Sequence, residues 1–193
     1  MEKISLFLAK NVFKNSQQCK RPACTVDYAL DLVPDIEFIL FNKHHNLSNP
    51  MYFDPSDDVN NLEESNYLKN TKTIIFTHGW ISSAYDNSSQ LTWSNQLTDL
   101  VTEVLANQDE YNILFLDWGP ISETVKYWLP ATNIQVIGAI VGNFVKDCLE
   151  ENLNTLDNFH LVGHSLGAHL MGYAGKWFKK NTKGQKLPKI TGE

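Results

Sequence analysis

Phe159-His160-Leu161-Val162-Gly163-His164-Ser165-Leu166-Gly167-Ala168 is the stretch that decides the fold of this 193-residue chain. Its first four residues form a short apolar run closed by a glycine, the pattern of a strand buried in a sheet. Behind Gly167 an apolar helical pattern continues through Ala168, Met171, Gly172 and Gly175. Strand, G-x-S-x-G and helix in that order predict a sharp turn with Ser165 at its apex. Side chains two positions either side of such a serine would collide with the neighbouring strand and helix, and glycine at 163 and 167 removes the collision. The strain lifts the Ser165 hydroxyl above the carboxyl edge of the sheet, where open α/β folds bind their ligands. Ser165 is therefore the candidate nucleophile. The Leu166 N–H, at the start of the helix, is a candidate donor to an oxyanion.

Working outward, strands and helices alternate. Thr73-Ile74-Ile75-Phe76-Thr77 and Ile113-Leu114-Phe115-Leu116 read as buried strands. Leu97, Leu100, Val101, Val104 and Leu105 mark an amphipathic helix over about residues 92–107. Ile137, Ile140, Val141, Phe144, Val145 and Cys148 mark a second helix, and Ile36 to Phe41 a further strand. Asn42 to Asn70, rich in Asn, Pro and Asp, reads mostly as turns and loop. The pattern predicts an α/β fold with a mostly parallel sheet and helices on both faces. Residues 1–30 show no sustained period and are expected to form a weakly structured leader ahead of a domain spanning 31–193.

Composition narrows the function classes. Acidic residues outnumber basic ones, the net charge is -6 and no sizeable Lys/Arg cluster exists, which argues against a nucleic-acid partner. No unbroken apolar run approaches the roughly 18 residues of a membrane-spanning helix, so no transmembrane segment is expected. Ile4 to Ala9 is shorter than the roughly 7 to 15 apolar residues of a signal-peptide core. Cys19 and Cys24 are near enough in sequence to pair, and Cys148 stands apart. Asn46-Leu47-Ser48 and Asn87-Ser88-Ser89 are glycosylation sequons, meaningful only in the secretory pathway. No cofactor or metal motif is recognised in the chain.

A second piece of chemistry stands at the end of the strand over Thr73 to Thr77, as His78-Gly79-Trp80. The loop after that strand supplies the second oxyanion donor in such sites, here the Trp80 N–H, and Gly79 lets the backbone come close. His78 is read as a structural histidine that fixes this loop by hydrogen bonding rather than as a proton carrier.

Taken together, Ile74-Ile75-Phe76-Thr77-His78-Gly79-Trp80, Leu116-Asp117-Trp118, the helix through Phe144, and Leu161 to His169 resemble the pancreatic-lipase family, including its insect lipases and phospholipases A1. The likeness extends over about residues 35–192. It implies the α/β-hydrolase fold and a two-step acyl transfer from acylglycerols or phospholipids at a lipid interface, in a secreted, extracellular enzyme of lipid degradation. Carried onto this sequence, Ser165 is the nucleophile and the Trp80 and Leu166 amides form the oxyanion hole, with His78, Gly79, Gly163, His164 and Gly167 as supporting motif residues. Asp117 is not the triad acid, because in this family acid and histidine follow the serine; it is expected to hold the strand end together with Trp118.

The resemblance also implies that Lys189-Ile190-Thr191-Gly192 begins the next strand and that the triad aspartate, the histidine, the lid and a calcium loop lie after Glu193. The chain as it stands is then expected to be a C-terminally incomplete α/β-hydrolase domain, catalytically incomplete, with the strand over Phe159 to Val162 left near an open edge. His44, His45, His78, His160, His164 and His169 are all expected to be structural, and Glu193 to be a poor substitute acid. Two other readings stand beside this one: a non-catalytic lipase-like protein that binds lipid or a partner, and a thioesterase or peptidase on the same fold.

Overall fold

The computed structural model describes residues 36–54, 59–85, 93–106, 110–123, 126 and 128–193. The expected leader, the Cys19 and Cys24 pair and the Asn87 sequon fall outside them. Six strands form one sheet: β1 (Glu37–Phe41), β2 (Met51–Phe53), β3 (Lys72–Thr77), β4 (Tyr111–Asp117), β5 (Phe159–Gly163) and β6 (Lys189–Gly192), in the order β2-β1-β4-β3-β5-β6. β4, β3, β5 and β6 run parallel, while β1 and β2 form an antiparallel pair on the β4 side. The helices are α1 (Asn61–Glu64), α2 (Asn95–Ala106), α3 (Gly119–Ser122), α4 (Trp128–Glu150) and α5 (Leu166–Asn181).

Alternation along the strands builds a core on each face of the sheet. Phe38, Leu40, Leu114, Leu116 and Leu161 face α4 and α5, whereas Ile39, Phe41, Ile113 and Phe115 face Leu97 and Val101 of α2. This is the expected α/β-hydrolase architecture. Asn42 to Asn70 is mostly turns and loop, as expected, with β2 turning back onto β1 and α1 following. One expectation, the open edge beside β5, is corrected. β5 is not left at an edge, because β6 pairs with it from His160↔Lys189 to Gly163↔Gly192. Helix α4, which is apolar over most of its length although it includes Thr132, Asn133, Gln135, Asn143, Lys146, Asp147 and Glu150, is long and apolar enough to cross a membrane by length and composition. In the fold 72% of its most apolar window is buried inside the protein, which accounts for that composition as that of a core helix.

Helices α4 and α5 approach closely because two glycines one turn apart on α4 replace side chains at the contact. A Cβ at Gly138 would lie 2.6 Å from the Leu170 carbonyl oxygen and 3.0 Å from the Ala174 nitrogen; one at Gly142 would lie 2.9 Å from the Ala174 carbonyl oxygen. At the amino edge of the sheet a buried polar network joins the layers. Asn154 Nδ2 donates to Tyr67 Oη and Thr73 Oγ1, each at 2.9 Å, and Asn112 Nδ2 donates to the Leu68 carbonyl at 2.8 Å. The amino edge is thereby devoted to stability, leaving the carboxyl edge for the site.

Helical Gly→Ala normally stabilises by up to about 1 kcal/mol, and steric crowding of backbone in a core reverses the sign. Gly138→Ala is therefore expected to lower unfolding stability by about 2 kcal/mol. Gly172→Ala on α5, where a new Cβ meets nothing within 4 Å, is expected to raise it by up to about 1 kcal/mol. Urea denaturation checks both, and the same sign in the two variants would contradict this account of the helix contact.

Candidate active site

Ser165 occupies the turn between β5 and α5 with φ 53° and ψ -118°, a conformation that costs a non-glycine residue about 1–3 kcal/mol. It is exposed. Backbone contacts hold it there. A Cβ at Gly163 would lie 2.3 Å from the Gly167 carbonyl oxygen, and one at Gly167 would lie 2.4 Å from the His78 carbonyl oxygen, so neither position tolerates a side chain. The His164 N–H donates to the Thr77 carbonyl at 3.1 Å, and the Gly167 N–H to the His164 carbonyl at 2.8 Å. The Ser165 N–H donates to the Glu193 carbonyl at 2.6 Å, while the Glu193 N–H donates to the Gly163 carbonyl at 3.1 Å. The residue after β6 thus braces the turn through its backbone.

Because β3 lies parallel to β5 with Thr77 opposite Gly163, His78-Gly79-Trp80 leaves the sheet beside Ser165. The approach is tight: a Cβ at Gly79 would sit 2.9 Å from Ser165 Cβ and 3.4 Å from its hydroxyl oxygen. Trp80 follows, with an exposed indole, and then Ile81 with φ 50°, an outlier for a β-branched residue. The Ile81 N–H donates to the Ser122 carbonyl of α3 at 3.2 Å. Leu166 is buried at the first position of α5, where the helix offers its N–H no acceptor.

The buried centre behind this loop is a histidine and an aspartate from adjacent strand ends. His78 Nδ1 faces the Gly79 carbonyl oxygen at 2.9 Å, and Nε2 faces Asp117 Oδ1 at 2.8 Å. The ring is thereby held at both nitrogens, by the Gly79 carbonyl oxygen on one side and the Asp117 carboxyl on the other. The Trp118 amide also lies 3.1 Å from Nε2. The imidazole stacks on Trp118 at 5.2 Å and 7°, with Phe115 on its other side at 6.0 Å. Burial alone pushes the Asp117 carboxyl up; the hydrogen bond and charge of His78, the Gly119 N–H at 2.9 Å and the Ser83 hydroxyl at 3.1 Å outweigh it and hold Asp117 below its ordinary range. Across β1, Glu37 stands opposite Asp117, and burial followed by repulsion from Asp117 pushes its carboxyl up against the opposing effect of its bond from Tyr85. A cavity of about 550 Å³ opens there, lined by Glu37, Ser83, Tyr85, Asp117 and Glu123, and Ser165 is not part of its lining.

The remaining histidines stand apart from the serine's hydroxyl. His45 Nε2 bonds the Ser65 carbonyl at 2.8 Å and His160 Nε2 bonds Thr191 Oγ1 at 2.9 Å; His44, His164 and His169 are exposed. Among the described residues no group of three His, Cys, Asp or Glu side chains could hold a metal ion. Two features escaped the sequence reading: the link from Asp117 to His78 and the Ser83 hydroxyl that completes it. Nothing local signals a contact across 39 residues; the signal available was that both polar residues end strands that become neighbours.

A family model described as Lipase matches residues 9–193. The chain belongs to the pancreatic-lipase family. Pancreatic triacylglycerol lipase of Mus musculus is 34% identical over 122 residues, covering 63% of this chain and 24% of that protein. Phospholipase A1 of Vespa velutina is 29% identical over 170 residues, covering 83% of this chain and 52% of that protein. Inactive pancreatic lipase-related protein 1 of Mus musculus is 35% identical over 119 residues, covering 61% and 23%. The chain thus spans about a quarter to a half of the length of these relatives. The family is named for a hydrolase, yet one of these relatives is named inactive, so membership alone does not assign turnover.

If the φ of Ser165 stores strain, removing the side chain altogether releases it. Ser165→Gly is expected to be more stable than Ser165→Ala by about 1 kcal/mol, even though glycine is the more flexible residue in the unfolded chain. Chemical denaturation of the two variants checks this, and an alanine variant as stable as the glycine variant would show that the turn is relaxed.

Proposed function

We propose that this lipase-family chain carries the nucleophile and oxyanion hole of a serine ester hydrolase acting on acylglycerols or phospholipids. The observation that carries the reading is the strained, exposed Ser165 held against the backbone of Gly79 at the carboxyl edge of the sheet. In the reaction the Ser165 oxygen attacks the ester carbonyl carbon, the alcohol leaves with the proton taken from the serine, and water then cleaves the acyl-enzyme to a fatty acid. The Trp80 and Leu166 amides stabilise the oxyanion, each such donor being worth about 3 kcal/mol of barrier. Lipid as the substrate class is supported by the exposed apolar side chains around the same edge: Trp80 and Ile81 after β3, and Trp128 at the start of α4, which is 62% exposed. A secreted, extracellular setting follows from the same family reading.

Among the described residues no histidine makes a hydrogen bond to the Ser165 hydroxyl. A relative named inactive favours one second reading, a non-catalytic lipase-like protein that binds lipid without turnover. A fluorophosphonate probe separates the two on the full-length product. Covalent labelling that Ser165→Ala abolishes, with hydrolysis of phosphatidylcholine or a triacylglycerol lost in parallel by about 10³-fold or more, is the expected outcome. Vesicle binding with no labelling of Ser165 would sink the catalytic reading.

A further inference from the structure

We propose that the buried His78–Asp117 pair is the positioning element of the oxyanion hole, holding the Gly79–Trp80 peptide plane so that the Trp80 N–H faces the carbonyl oxygen of the ester attacked by Ser165. The inference rests on the reading of Ser165 as nucleophile.

The argument starts from the peptide bond. A trans peptide points its C=O and N–H in opposite directions, and among the described residues no peptide is cis. Gly79 has no side chain to steer its own backbone, so the direction of the Trp80 N–H is set by whatever holds the Gly79 oxygen. That group is His78 Nδ1, at 2.9 Å. The ring is itself held: Asp117 Oδ1 lies 2.8 Å from Nε2, and the imidazole stacks with Trp118 and Phe115. The Trp118 indole N–H donates to the His78 carbonyl at 3.2 Å, which secures the preceding peptide as well. Preorganisation of this kind lowers a barrier because the donor need not reorient when charge develops. Asp117, bonded to His78, Ser83 and Gly119, thereby acts on the reaction through His78 and is a positioning residue rather than a catalytic one.

Two amide substitutions separate the two halves of the ring. An asparagine amide nitrogen falls where Nδ1 lies and a glutamine amide nitrogen where Nε2 lies, so His78→Asn keeps the bond to Gly79 and His78→Gln keeps the bond to Asp117. In the full-length product, kcat on a short p-nitrophenyl ester is expected to fall about 30-fold in His78→Gln and under about fivefold in His78→Asn, with KM within about twofold in both. Equal losses in the two variants, or losses that follow their melting temperatures, would overturn the proposal. Should either variant melt early, Asp117→Asn decides: the backbone amide resonance of Trp80 is expected to shift and kcat to fall about tenfold with KM unchanged, and a resonance and kcat that both stay put would overturn it. A wild-type protein that neither labels with fluorophosphonate nor hydrolyses the ester counts against the nucleophile reading instead, and the Trp80 resonance in Asp117→Asn still decides this one.

Discussion

Three close contacts made possible by glycine support everything at the carboxyl edge of this sheet. Gly163 meets Gly167 across the turn, Gly167 meets the His78 carbonyl, and Gly79 meets Ser165. A strained serine persists only where its surroundings over-determine it. Here they do so from three directions, with β5 entering below, α5 leaving above and the loop after β3 pressed alongside. The parallel pairing of β3 with β5 is what aligns those directions, since Thr77 lies opposite Gly163 and both chains leave the sheet at the same height. The backbone of Glu193 adds a further brace by receiving the Ser165 N–H.

Rigidity of the turn depends in its turn on the layer beneath. Helix α5 is anchored along its length by α4, and the two come together at the Gly138 and Gly142 positions, where backbone rather than side chain meets the neighbouring helix. A well-packed interior transmits small displacements because it has few voids to absorb them. The start of α5 can therefore be no better positioned than its contact with α4 allows. The polar network of Tyr67, Thr73, Asn112 and Asn154 closes the opposite edge and leaves the carboxyl edge to carry strain and exposed apolar side chains.

Electrostatics at the site follow from burial. His78 and Asp117 are almost wholly shielded from water, where an unpaired charge is costly and a paired one is held firmly. The Asp117 carboxylate, with donors from His78, Gly119 and Ser83, is satisfied; Glu37 on the opposite strand is forced the other way by burial and by Asp117 itself. Two carboxyl groups facing each other across β1 and β4 are thus pushed apart in proton affinity by their partners rather than by their chemistry.

The local pattern determined a good deal by itself. Periodicity located β3, β4, β5 and the two long helices, because burial on one face imposes a period that a sequence must display. The pentapeptide around Ser165 and the His78-Gly79-Trp80 tripeptide were legible for the same reason: steric demands of a tight turn permit few residues, so glycine and serine spacing betrays it. Hairpin β1–β2 was only half legible, since Met51–Phe53 is three residues long and a period of two cannot be read from three residues. Only the tertiary structure decided that His78 bonds Asp117, that Gly138 and Gly142 seat α5, and that the apolar run of α4 lies inside the protein. Each of these joins groups distant along the chain, and such contacts are set by strand order and helix docking, which no local spacing encodes.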